Sequence, residues 1–157
     1  MLGRPNSEVL NSIKVVCVWG ETILWGEVME RYLSLGHSVY AMVSKNFNFV
    51  LFAGLNKVNK GFSGDYYWYI YWADENADQP DHWLPKTPKS TKLDYVLKIT
   101  KALDPKFREI LLLTPAEGIV LEMPVIRDAV IPSFPSTGRV AVVGDAAHPI
   151  IPCKSRP

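Results

Sequence analysis

The sequence predicts a domain of the α+β or α/β class, a mixed or antiparallel sheet with flanking helices and one further strand and turn at its C-terminal end. Three observations carry this expectation. Side chains alternate with a period of two over residues 37–53 and again over 66–72. Apolar residues fall at helical spacing over 25–33 and 93–111. A short β-branched run, residues 139–143, ends in Gly144-Asp145.

The elements follow in order. Residues 13–19, Ile-Lys-Val-Val-Cys-Val-Trp, read as a mostly buried strand closed by Gly20. Trp25, Val28, Met29, Tyr32 and Leu33 form one apolar helical stripe, with Gly36 expected as a left-handed C-terminal cap. From His37 the period becomes two, with Val39, Ala41 and Val43 opposing Ser38, Tyr40 and Met42. Phe47, Phe49, Leu51 and Ala53 continue the pattern, and Lys45-Asn46 between the runs predicts a hairpin. After a polar loop containing Gly61 and Gly64, residues 66–72 have strong strand composition. Tyr66, Trp68, Ile70 and Trp72 make the core face, and Tyr67, Tyr69 and Tyr71 an amphipathic one, suited to cross-strand packing or to lining a wet pocket.

Residues 73–90 read as a long loop anchored by Trp83. Thr91 and Asp94 have capping-box spacing for a helix carrying Leu93, Val96, Leu97 and Thr100. Asp104-Pro105 opens a second helix, an Asp cap followed by Pro at the first helical position, with Phe107, Ile110 and Leu111 on its inner face. A strand is expected over 118–123, and Arg127-Asp128 as a solvated or locally paired couple.

Composition narrows the function. At 157 residues, 48% hydrophobic and 21% charged, the chain has the make-up of a folded domain. Its 17 basic and 16 acidic residues are dispersed, which leaves no footprint for nucleic acid or an anionic membrane and points to a small-molecule partner. Cys17 and Cys153 lack metal-ligand or disulfide-framework spacing, so no metal is expected and a reducing, cytoplasmic setting is. The N-terminal residues lack the order of a signal peptide, and no membrane span is indicated. Oligomeric state is not specified.

The sharpest chemical signal is Gly144-Asp145-Ala146-Ala147-His148-Pro149. A glycine at a strand's carboxyl end permits close approach of a ligand, and the adjacent carboxylate offers acceptors to hydroxyl donors. A helix beginning at Ala146-Ala147 would present N–H groups to negative charge. His148 can titrate near neutrality but has no partner nearby in sequence, which favours a structural role over acid–base work; His37 and His82 have still less to recommend them.

These six residues, after an apolar strand, resemble the second FAD-binding motif of flavoprotein monooxygenases of the aromatic-hydroxylase type. The resemblance implies that Gly144, Asp145, Ala146, Ala147, His148 and Pro149 contact FAD, with Asp145 on the ribityl chain. It implies an enzyme that inserts one oxygen atom into a small organic substrate using NAD(P)H and O2, with a substrate-side sheet. By that likeness residues 1–136 form a central substrate-domain-like region, and residues 137–157 a truncated Rossmann-like FAD-binding element. The family's Gly-x-Gly-x-x-Gly pyrophosphate turn is absent, since no two of the ten glycines stand two apart, and no Asp is followed by Gly. A fragment of such an enzyme is the leading expectation. A non-catalytic binding module that keeps the sheet, and an oxidase or dehydrogenase on the same fold, are the alternatives. No catalytic residue is assigned.

Overall fold

The computed structural model describes residues 10–44, 48–123 and 126–129. Its centre is a five-stranded antiparallel sheet of order β3-β4-β5-β2-β6, formed by β2 (Val15–Trp25), β3 (Val39–Ser44), β4 (Phe49–Asn59), β5 (Ser63–Ala73) and β6 (Ile119–Met123). A separate antiparallel pair joins β1 (Leu10–Ile13) to β7 (Ile126–Ala129). Four α-helices complete the described residues: α1 (Gly26–Gly36), α2 (Trp83–Lys86), α3 (Lys89–Ile99) and α4 (Pro105–Leu112), with a 3-10 turn at Ala116–Gly118. The mixed α+β composition and the antiparallel sheet agree with the sequence. The strand expected at 139–143, and with it the Rossmann-like element, lies outside the described residues.

One face of the sheet is the core. Val16, Val18 and Leu24 of β2, Phe49, Leu51 and Ala53 of β4, and Tyr66, Trp68, Ile70 and Trp72 of β5 meet Met29 and Tyr32 of α1, Val96 of α3, and Ile110 and Leu111 of α4 in one cluster. The alternation in β5 therefore sorts as its sequence period requires, with Trp68 at 0% exposure in the middle. Trp68 also ties the sheet to α4. Its Nε1 donates to Thr114 Oγ1 at 2.8 Å, and that hydroxyl donates to Ile110 O at 2.7 Å.

Several boundaries differ from the sequence expectation. Gly20 does not close the first strand; β2 runs through it to Trp25, pairing with β5 along its whole length. Gly20 lies opposite Trp68, and a Cβ there would collide with the indole, so the glycine makes room for the largest core side chain. The C-terminal cap of α1 is His37 and not Gly36: His37 takes φ +51° and donates its N–H to Leu33 O at 2.7 Å. Gly64 belongs to β5. α3 starts at Lys89 behind Pro88, whose φ of −58° suits a helix start, which leaves Thr91 inside the helix with no capping box. Asp104 does cap α4, its Oδ1 accepting from Lys106 N at 3.0 Å. Asp104→Ala should lower stability by about 1 kcal/mol, the usual value of such a cap, read as a shift in the urea midpoint at unchanged slope.

The 73–90 segment is more ordered than a loop. Lys14 O accepts from Asp74 N at 3.0 Å and Lys14 Nζ pairs with Asp78 Oδ1 at 2.5 Å, a bond that holds the Asp78 carboxyl below the usual carboxylate range. His82 is buried: its Nε2 faces Asp74 Oδ2 at 3.1 Å while Nδ1 accepts from Leu84 N at 3.3 Å, capping α2. That acceptor role fixes the tautomer, so Nε2 carries the hydrogen given to Asp74. Trp83 packs on Tyr95 with ring centroids 5.0 Å apart, which anchors the segment to α3. The Arg127-Asp128 pair sits in β7 opposite Ser12 and Asn11, a strand too short and too charged to announce itself by period.

Candidate functional site

The other face of the sheet carries the unusual chemistry. Cys17, Trp19, Glu21 and Ile23 of β2 stand in register with Tyr71, Tyr69, Tyr67 and Asp65 of β5. Phe52 of β4 stands opposite Tyr69, and the two rings stack with centroids 4.6 Å apart and planes 4° off parallel. Tyr69 and Tyr71 meet edge-on at 5.3 Å. Tyr71 is buried by this packing. Tyr67 behaves differently: it lies over Gly54, where a Cβ would come within 2.7 Å of its hydroxyl and of Cζ. The glycine lets the ring lean across β4 instead of standing upright between the strands.

Beside Tyr67 the sheet opens into a cleft of about 510 Å3 lined by Glu21, Thr22, Ile23, Asn56, Asp65, Tyr66, Tyr67 and Pro115. Its size falls within the range of small-molecule sites. Asn56 reaches the rim because it is the extra residue of a β-bulge between Leu55 and Lys57, a device that re-aims a side chain at a sheet edge. Asp65 is held by Asn59, whose Nδ2 donates to Oδ1 at 2.6 Å. The cleft thus combines an aromatic wall, an aliphatic residue, two carboxylates and an amide.

Buried groups on this face are inert by environment. Burial pushes the Cys17 thiol up to about 12, partly offset by a hydrogen bond with Tyr71, so the thiol stays protonated and is no nucleophile near neutrality. His82 and Asp74 sit beyond the far end of β5 from the cleft and serve as a structural pin. Among the described residues no group of three or more His, Cys, Asp or Glu side chains could hold a metal ion. No helix among them is long and apolar enough to cross a membrane.

The sequence-predicted cofactor residues, Gly144, Asp145, Ala146, Ala147, His148 and Pro149, all lie outside the described residues, as does Cys153. The fit of the described residues to FAD divides. The N-terminus of α1 carries Glu27 in its first turn, which opposes phosphate there. The described residues do offer a face of half-buried rings, with Tyr67 beside the cleft, against which a planar molecule can lie. Sequence reasoning identified the tyrosine face but missed Glu21, Asn56 and Asp65, whose only signal was polarity inside strands of high β-propensity.

No protein-family model matches the chain. The chain is 38% identical over 153 residues to the FAD-dependent monooxygenase thnD of Trichoderma harzianum, a match covering 97% of this chain. That likeness is consistent with a fragment of the FAD-dependent monooxygenase family. The chain spans 38% of the length of that relative. The relative's name marks it as FAD-dependent, and the matched span includes the antiparallel sheet and almost all of the sequence around it.

Proposed function

We propose that this chain provides the substrate-side sheet and an FAD-contacting element of a monooxygenase that hydroxylates a small organic molecule. The observation that carries the reading is the 38% match along 97% of the chain, including a sheet whose open face holds rings and a small-molecule-sized cleft. When bound, FAD supplies the activation of O2, with NAD(P)H as reductant. The balance is one substrate C–H, O2, NAD(P)H and a proton converted to C–OH, water and NAD(P)+.

This chain's residues do the rest. Tyr67 gives the cleft an aromatic wall that keeps water from one side of a ligand, and Phe52 and Tyr69 pack behind it. Glu21 and Asp65 accept hydrogen bonds from ligand donors at the rim, fixing orientation. By the resemblance, Asp145 would accept from the ribityl hydroxyls of FAD, and Gly144 would leave room for the approach.

The test is direct. FAD titrated into the purified chain should quench flavin fluorescence and raise the melting temperature, and Asp145→Ala should weaken that binding by roughly 10–100-fold, the usual loss for a charge-assisted hydrogen bond of about 1.5–3 kcal/mol. If neither FAD nor FAD with NADPH alters absorbance or melting temperature, the reading fails for this polypeptide.

A further inference from the structure

The cleft beside Tyr67 has a charge character that selects its ligand. Four of its residues form a compact patch on two adjacent strands, Glu21 opposite Tyr67 and Ile23 opposite Asp65. Tyr67 and Ile23, on one diagonal, supply the apolar contacts for a flat ring, while Glu21 and Asp65 place carboxylates at the two ends of the other. Among the described residues lining the cleft there is no Lys, Arg or His. Lys57, the cross-strand neighbour of Asp65 on β4, is exposed and outside the lining.

Asn59 fixes Asp65 through Oδ1, and among the described residues Oδ2 accepts no hydrogen bond, so this acceptor remains for a ligand. Asn56, turned to the rim by the bulge, can donate as well as accept. The groups that meet a ligand's polar end are therefore mostly acceptors with negative charge. A ligand carboxylate brought within a few ångströms of them would face two like charges and no cation in the described lining, while a hydroxyl or ammonium group would find hydrogen-bond acceptors.

From this we infer that the cleft takes an aromatic ring bearing neutral or cationic donors, hydroxyl or amino groups, and rejects ring carboxylates. The inference rests on the cleft being the substrate site proposed above, and names the class of substrate that site accepts. Specificity here arises as much from repulsion of the wrong ligand as from attraction of the right one.

Three probes of similar size separate the outcomes: 4-hydroxybenzylamine, 4-hydroxybenzyl alcohol and 4-hydroxyphenylacetate, titrated into the purified chain and followed by amide chemical shifts. The amine and the alcohol should bind, shifting resonances of Tyr67 and its neighbours, and the carboxylate should bind at least tenfold more weakly at low salt. Glu21→Gln combined with Asp65→Asn should narrow that gap by strengthening carboxylate binding, with the fold checked by circular dichroism. Equal or tighter binding of the carboxylate overturns the inference. A preference unchanged in the double variant overturns it too, as does the absence of binding by all three at millimolar concentration. None of these results depends on FAD: a chain that binds FAD through Asp145 but prefers the carboxylate refutes the ligand class alone, and one that selects the amine but ignores FAD refutes the cofactor reading alone.

Discussion

Trp68→Ala should lower the unfolding free energy by about 3–5 kcal/mol, the range for removing a large aromatic from a well-packed core. Trp68 is fully buried at the centre of β5 and contributes both packing and the Nε1 bond to Thr114 that links sheet to α4. Gly20→Ala should by itself cost about 1–3 kcal/mol, because its new Cβ enters the indole. Combined, the two should cost less than their separate effects, since the methyl group then occupies part of the space that Trp68 has left. Equilibrium urea unfolding followed by circular dichroism reads all three. Additive effects, or a Trp68→Ala loss below about 1 kcal/mol, would show that the two residues do not share that space.

Stability should also fall steeply in alkali. Burial pushes the Cys17 thiol up to about 12 from an ordinary 9.0 and the Tyr32 hydroxyl up to about 12 from 10.0, and it drives Tyr40 upward as well. All three are neutral when protonated, so the folded chain resists their ionisation while the unfolded chain ionises freely. The sign follows: the folded state is at full advantage below about pH 9 and loses it progressively as pH rises towards 12. For Cys17 a gap of about three units corresponds to about 4 kcal/mol at the alkaline end, an order-of-magnitude figure. Urea midpoints should be flat from pH 7 to 8.5 and drop from pH 9 onward, and Cys17→Ala should flatten the early part of that drop. A profile identical in the alanine variant would remove Cys17 as its cause.

The strands of this chain were legible because their periods are local. Tyr66, Trp68, Ile70 and Trp72 point to one side by backbone geometry alone, and they are the residues the core contains. Asp104-Pro105 was equally plain, since both the cap and the fixed φ act within one turn. Gly20 misled for the opposite reason. A glycine after an apolar run reads as a terminus until the partner strand places an indole against it. His82 looked unremarkable because its partner, Asp74, lies across a segment whose path is set by Lys14, Trp83 and Tyr95. The resemblance to FAD-dependent monooxygenases was drawn at Gly144-Asp145, and the likeness to thnD runs over nearly the whole chain.

By itself, then, the sequence determined which residues alternate, where α4 begins at a capping Asp and a Pro, and which family the chain resembles. Only the tertiary structure decided that β2 lies beside β5 and that a bulge at Asn56 opens the sheet next to Tyr67. Those choices bring Glu21, Asp65 and Tyr67 to one cleft. The physical reason is range: dihedral preference and side-chain period act over a few residues, whereas strand neighbours are selected by the fit of whole faces, and that fit is set by side chains distant in the chain.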